Sequence, residues 1–396
     1  MKALFVHDTY YYGTEDADDE VYAFGAFPYA LWKERYLSHF DDLQVIGRSK
    51  RDLDDFRNKL DRSDGPGVMF LLFQNINTPV RRLFYGFYIQ NTLNTIVKDF
   101  DVVIIRGPSE FGMMAAKAAR RAGVPYCVEM SGCAFDHTWY HGSFIGKLYA
   151  PFKYLRARAM VHHADFVLYV TKGFLQRRYP TNAQVVENAS NVELVLPDNG
   201  LIERKVERLR GTEKLVFGLI GNYGNNLKGL GVAFKALSRI KDALPAFELR
   251  ILGQGDPAKW RPMVEALELQ DHVVFSDSVP GGEAVYEWLD GIDIYLQPSF
   301  HEGLPRALIE AMSRGCPALA SDAGGSDELL EARFIHRRGD ASTLAKGLLV
   351  LAKDQDLQIE QARRNFDVVK PYNRELLKEK RFQFYKQFKA LAEKRA

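Results

Sequence analysis

Cysteine is scarce. The 396 residues hold three, Cys127, Cys133 and Cys316, with no metal-ligand spacing. That excludes a disulfide scaffold and favours a reducing compartment with free thiols. Long apolar runs are missing as well: nothing approaches the roughly 18 consecutive apolar residues of a membrane span. The chain opens directly into Lys2-Ala3-Leu4-Phe5-Val6, which reads as a strand and not as a signal peptide. The expected location is the cytoplasm. Neither sign of charge dominates. With 53 Lys+Arg, 51 Asp+Glu and a net charge of +2, no global field calls for a nucleic acid partner. Metal signals are lacking too. No His or Cys cluster has zinc spacing. Three Asp-x-Asp pairs, Asp16/Asp18, Asp52/Asp54 and Asp354/Asp356, sit in charged segments that read as solvated faces. Neither a metal nor a cofactor is expected.

What is present is a soluble, globular composition, 46% apolar and 26% charged, in a chain long enough for two domains. The stretch from Ser299 to Asp322 organises the rest. An apolar run at 292–296 reads as a buried strand, broken by Gln297-Pro298-Ser299. Pro305 suits a first helical turn, where its missing N–H would be unpaired anyway. Ala307, Leu308, Ala311 and Met312 recur at helical spacing. Gly315 and Pro317 end the helix, and 318–320 reads as the next strand. In such a strand–loop–helix–strand unit the loop Glu302-Gly303-Leu304 lies at a sheet's ligand edge. Free N–H groups and the helix dipole there attract an anion, most simply a phosphate. Glu302 and Glu310 flank that position, and a carboxylate accepts well from two adjacent hydroxyls. Paired with a phosphate site, they suggest a ligand with two sugars. Each acid also has a plainer reading: Glu310 as the partner of Arg306 one turn earlier, and Glu302 as a solvated loop acid.

Taken together, Glu302-Gly303, Glu310-Ala311-Met312, Gly315-Cys316-Pro317 and Asp322-Ala323-Gly324-Gly325 resemble the E-x7-E signature of the retaining glycosyltransferases of family GT4. The resemblance covers nearly the whole chain. It is strong over 215–330 and weaker in the first half. It implies the GT-B architecture, an α/β fold of two facing Rossmann-like, doubly wound parallel-sheet domains with a cleft between them. The first domain (1–200) would bind the acceptor and the second (201–372) the donor, and a helix at 373–396 would return to the first. The implied reaction is retaining transfer of a hexose from a UDP- or GDP-linked sugar to a hydroxyl of a glycan or lipid-linked acceptor, in cell-surface polysaccharide or glycoconjugate synthesis. Two other readings share this plan: an epimerase or phosphorylase, and a silent sugar-nucleotide binder.

In the first half, 3–6 reads as a strand, followed by the loop Thr9-Tyr10-Tyr11-Tyr12-Gly13 and an acidic run at 15–20. The resemblance places this loop near the donor phosphates, with Gly13 as a donor-side candidate. A helix is expected over 21–40, strands at 43–47 and 68–73, and a helix over 78–97. The strand at 101–105 ends in Arg106, which could meet an anionic acceptor, cap a helix or pair with Glu110. The strand at 124–129 runs into a loop, 130–142, rich in groups that move protons. Many GT4 enzymes carry His-Gly just after this strand, where this chain has Ser131-Gly132. Asp136 and His137 are then catalytic candidates. Ser131 and His141 are acceptor-side candidates, the histidines being equally readable as hydrogen-bonded loop residues. A retaining transfer needs orientation and charge stabilisation more than a strong base. Over 144–178, basic residues interleave with aromatics, which suits either peripheral contact with anionic lipid or a solvated helix face.

In the second half, 215–220 opens a new sheet, and its following loop from Gly221 to Gly229 suits a phosphate cradle. The resemblance expects an arginine and a lysine here, six residues apart, on the diphosphate. This chain has Asn222 and Lys228. Gly253 lies in a turn at the same edge, and the resemblance places the nucleobase at 276–282. The donor set is thus Gly221, Asn222, Lys228, Gly253, Glu302, Gly303, Leu304, Pro305 and Glu310, with Glu302 also orienting the sugar. Helices are expected at 341–362 and 373–396.

Overall fold

The computed structural model describes residues 1–13, 20–23, 27–50, 60–75, 79–141, 143–192, 194–198 and 200–395. Among these described residues nine strands form the first sheet: β1 (Lys2–Tyr12), β2 (Tyr22–Ala23), β3 (Asp42–Lys50), β4 (Asp61–Arg62), β5 (Val68–Phe73), β6 (Val102–Gly107), β7 (Tyr126–Met130), β8 (Phe166–Tyr169) and β9 (Val185–Asn188). Seven run parallel in the order β5-β3-β1-β6-β7-β8-β9, while β2 and β4 pair antiparallel beside the far end of β1. The second sheet is wholly parallel. Its strands are β10 (Leu215–Ile220), β11 (Phe247–Gly253), β12 (Val273–Asp277), β13 (Ile294–Gln297), β14 (Ala318–Ser321) and β15 (Ile335–His336), in the order β12-β11-β10-β13-β14-β15.

Strands covered on both faces are apolar throughout, and Val102 to Ile105 are all fully buried. Alternation along β1 sends Ala3 and Phe5 into one core and Leu4 and Val6 into the core on the opposite face. The first of these cores does not stop at the domain. It continues through the helix Arg374–Arg395 into the packing around Leu308, Ala318 and Val369.

That last helix lies on the first sheet. Phe384 and Phe388 meet Phe166 with ring centroids 5.6 and 5.3 Å apart, and Tyr385 meets Tyr36 at 5.3 Å. Arg395 pairs with Asp165 at 2.7 Å. The two segments that cross between sheets bond to each other, Arg374 N donating to the Leu194 carbonyl at 2.8 Å.

Several elements differ from the sequence expectation. β1 continues through Thr9–Tyr12, because after a register shift Tyr10–Tyr12 pair with Arg48–Lys50, and the Tyr11 ring packs on Phe70. The helix expected over 21–40 shrinks to Tyr29–Arg35 behind Pro28. Its aromatics Phe27, Trp32, Tyr36 and Phe40 are core residues without a continuous helix. The loop expected at 130–142 contains a helix, Ala134–Tyr140. The expected helix at 341–362 is two, Ala341–Lys353 and Gln355–Val368, broken at Asp354, whose carboxylate accepts from Leu357 N at 2.9 Å. That assigns Asp354 a capping role. Asp16/Asp18 and Asp52/Asp54 lie outside the described residues, as does most of the acidic run.

Candidate active site

In the second sheet the strand order reverses between β10 and β13, the crevice where α/β sheets hold ligands. The loops after these strands meet there. Glu302 is buried, and its Oε1 accepts from Gln297 Nε2 at 2.8 Å, Ser299 Oγ at 2.7 Å and Lys228 Nζ at 2.6 Å. Glu302 is therefore not a solvated acid. Its charge is held by three donors, and the expected phosphate lysine is one of them. Pro305 is the N-cap residue of the helix Arg306–Ser313, one position before the first turn. Glu310, little more than one turn in, faces the crevice half-buried. Burial pushes its pKa up, against the opposing fields of Arg306 and Lys228. Asn222 turns inward on its own loop, its Oδ1 accepting from Gly224 N at 2.6 Å.

These loops enclose a cavity of about 520 Å³. Gly221, Asn222, Lys228, Gly253, Glu302, Gly303, Leu304, Arg306 and Glu310 line it, together with Ser278, Val279 and Val285 from the side where a base was expected. Pro305 is not in the lining. Gly253 is required by contact: a Cβ there would lie 2.2 Å from the Gly221 carbonyl oxygen.

The first domain closes the cavity through Ser131, whose Oγ donates to the Gly107 carbonyl at 2.7 Å. The approach is tight. A Cβ on Gly303 would fall 2.0 Å from the Ser131 carbonyl oxygen. Ser131, Asn191, Arg306 and Glu310 are shared with a second cavity of about 1010 Å³, which runs along His7, Thr9 and Arg106.

Asp136, His137 and His141 line neither cavity. Asp136 is buried between two guanidiniums, Arg178 at 3.1 Å and Arg338 at 3.0 Å. Arg338 belongs to the second domain and also reaches Asp322 at 3.2 Å. The geometry makes Asp136 a tie between domains. His137 packs 5.3 Å from His301 and 5.9 Å from His141. Burial, with those neighbours, lowers its pKa to about 3, so it is a neutral packed ring. Arg106 pairs with Glu129 at 3.0 Å and lies over the Phe27 ring. Its anticipated partner Glu110 instead holds Arg156 at 2.7 Å. Gly13 stands beyond the end of β1 and lines neither cavity.

Sequence reasoning missed His7, Arg306, Arg338 and Arg374. His7 ends the apolar part of β1, which is a legible signal. Burial and then Arg106 lower its pKa to about 4. Its neighbour Asp8 fills the start of the helix Glu110–Ala122, accepting from Glu110 N at 2.7 Å and Phe111 N at 3.1 Å. The first domain has thus used its own carboxylate where an anion would sit, while the helix start at Arg306 stays open.

Comparison with known proteins agrees with this arrangement. Residues 214–354 match the family described as Glycosyl transferases group 1, and residues 35–185 match the Glycosyl transferase 4-like domain. Protein CapJ of Staphylococcus aureus is 33% identical over 347 residues, covering 87% of this chain and 85% of CapJ. The amylovoran biosynthesis glycosyltransferase AmsK of Erwinia amylovora is 36% identical over 138 residues, 32% of this chain and 34% of AmsK. Among solved structures, Anabaena Alr3699/HepE in complex with UDP superposes with a TM-score of 0.65 at 14% identity, over 98% of this chain and 100% of that one. Sucrose-phosphate synthase from Thermosynechococcus elongatus gives 0.67 at 15% identity, over 99% and 100%. The chain belongs to the GT4-type glycosyltransferases and has their GT-B architecture.

Proposed function

We propose that this glycosyltransferase moves a hexose, with retention, from a nucleotide diphosphate sugar to a hydroxyl of a glycan or lipid-linked acceptor in polysaccharide synthesis. One observation carries the reading. Lys228, Glu302, the open start of the helix Arg306–Ser313 and Glu310 converge on one cavity, which shares the wall at Ser131 with a larger one. Lys228 and the N–H groups after Glu302 stabilise the leaving diphosphate. Glu310 takes the ribose hydroxyls. Glu302, fixed by its donors, orients the sugar. Retention is supported by what the first domain offers. Asp8 and Asp136 are both engaged with arginines, and His7, with its pKa near 4, is a weak base at neutral pH. UDP is the first donor base to test, since structural neighbours have been solved with UDP and with UDP-glucose.

Among the described residues no helix is long and apolar enough to cross a membrane. Contact with a bilayer surface is instead part of the proposal. The helix Phe144–His162 contains no acid, and Phe144, Ile145, Leu148, Phe152 and Leu155 on it are 56–76% exposed, beside exposed Lys147 and Arg158. The rest of 144–178 is partly internal, since Arg156 and Arg178 are ion-paired and Tyr154 OH donates to a carbonyl.

Calorimetric titration with UDP and GDP tests the donor site. One of them is expected to bind in the micromolar range, about −8 kcal/mol, and Glu310→Ala is expected to lose it. Failure of both nucleotides with the folded protein would overturn the donor assignment. Binding without release of free nucleotide from any sugar donor would favour a silent binder.

A further inference from the structure

The larger cavity has an inner wall of unusual charge. Of the five guanidiniums that line the cavity, that of Arg306 stands where it meets the smaller one, and those of Arg35, Arg106, Arg374 and Arg381 form this wall. Beneath them lies one buried carboxylate, Glu129, whose Oε2 pairs with Arg106 and whose Oε1 accepts from Tyr36 OH at 2.8 Å and from Tyr385 OH. Among the described residues none of Arg35, Arg374 and Arg381 forms an ion pair. Arg381 is 5% exposed, and its terminal N–H groups go only to the backbone carbonyls of Leu377, Ala189 and Ser190 and to the side-chain amide oxygen of Asn191. Its Nε, like that of Arg374, is buried without a partner. Among the described residues the acids lining this cavity form no ion pair with Arg35, Arg374 or Arg381. Glu34 is engaged by Lys378 at 2.5 Å, Glu310 lies at the wall shared with the smaller cavity in the field of Arg306, and Glu283, Glu375 and Glu379 are exposed.

A buried positive surplus of this kind is unfavourable unless an anion completes it. Its effect differs from group to group: burial would lower Arg35, yet Tyr36 and Glu129 hold it above its ordinary value. Burial, with the field of Arg35 next, lowers Arg381 to about 10. Burial would raise Glu129, yet Arg106 and Arg35 hold it below the ordinary carboxylate range. Guanidinium forks match oxyanions bidentately. Several converging forks suit the two or more charges of a phosphoryl group better than one carboxylate. The donor diphosphate is placed elsewhere, at Lys228 and the helix start. We propose that the cavity formed by Arg35, Arg106, Arg374 and Arg381 binds a phosphoryl group of the acceptor, with the accepting hydroxyl at the Ser131 end. The inference rests on the assignment of the smaller cavity to the donor and names the chemical class of the acceptor.

The test is titration of inorganic pyrophosphate into protein saturated with UDP, so that the donor's phosphate site is already filled. Pyrophosphate is expected to bind, and the Arg35→Gln/Arg374→Gln double variant is expected to bind it at least tenfold more weakly while keeping its UDP affinity. No binding to the UDP-loaded protein, or equal binding by the double variant, would overturn the proposal. If the double variant melts early, Arg374→Gln alone carries the same comparison, since its guanidinium holds no ion pair. If UDP itself fails to bind, the donor assignment falls. Pyrophosphate is then titrated alone against the same variants, where weaker binding by the variants supports the phosphoryl site and equal or absent binding overturns it. Geranyl diphosphate and glucose 1-phosphate, run beside it, separate a lipid carrier from a phosphorylated sugar by which binds more tightly. Galacturonate binding in place of all three would overturn the phosphoryl assignment.

Discussion

Lys228 and Glu302 neutralise each other across the smaller cavity, and this decides how a donor enters. A diphosphate arriving at Lys228 has to share or displace the carboxylate, while Gln297 and Ser299 keep Glu302 supplied with donors. Lys228→Gln is therefore expected to fold normally and to bind UDP about 10- to 100-fold more weakly, the worth of a charge-assisted hydrogen bond of roughly 1.5–3 kcal/mol; calorimetry reads both affinity and heat. Equal affinity would mean that the lysine serves Glu302 alone. At this scale the sequence was legible where spacing along one segment fixes the site, as for Glu302 and Glu310. It was not legible where the deciding partner comes from far away. Nothing in the run Cys133-Ala134-Phe135-Asp136-His137 announces that Arg338 will close on Asp136, and a paired acid looks in sequence like a free one.

Among the elements, the buried parallel strands were readable because burial on both faces leaves a continuous apolar run. The helix Tyr29–Arg35 was not, because aromatics that fill a core from irregular chain imitate helical spacing until Pro28 fixes its start. β1 was read short for the complementary reason: tyrosines in a polar context resemble a loop, yet they suit a pleated edge. The helix Phe144–His162 turns an apolar stripe outward, and its side chains are free to leave water. Leu148→Glu with Phe152→Glu is expected to abolish sedimentation with anionic vesicles, each lost side chain weakening partitioning by about 1.5 kcal/mol or more. Thermal stability and UDP binding should stay unchanged, because exposed positions seldom move stability by more than about 0.5 kcal/mol. Unaltered sedimentation would leave the stripe without a membrane role.

For the whole molecule, the domains are tied by charge as well as by the shared core. Glu328 of the second domain accepts from Lys172 N, Gly173 N and Phe174 N of the first at 2.6, 2.9 and 2.8 Å. Arg338→Ala removes one of the two guanidiniums that flank the buried Asp136 carboxylate. It is expected to cost about 3 kcal/mol in denaturant unfolding, whereas a loss under about 0.5 kcal/mol, the usual range for a surface change, would mean Arg178 alone suffices. pH acts on the same scale. His7, His301 and His137 titrate near 4, 4 and 3 in the folded protein, burial being the largest cause for each, against 6.5 ordinarily. Between pH 6.5 and about 4 the unfolded chain therefore binds more protons. Stability should fall as pH drops through that window, by up to about 1.4 kcal/mol per pH unit for each histidine. Unfolding free energies at pH 7, 6 and 5 check this, and a flat profile would mean the rings are solvated.

The helix Arg374–Arg395 carries one more consequence. It covers Phe166 and Glu129, which belong to a sheet whose last strand ends at Asn188, and Tyr36 at the end of the helix Tyr29–Arg35. On the ribosome, that sheet is complete long before its cover is translated. The whole second domain emerges while an aromatic face of the first stands open to water and to chaperones, so the first half of this enzyme completes its native packing only after the second half has been made.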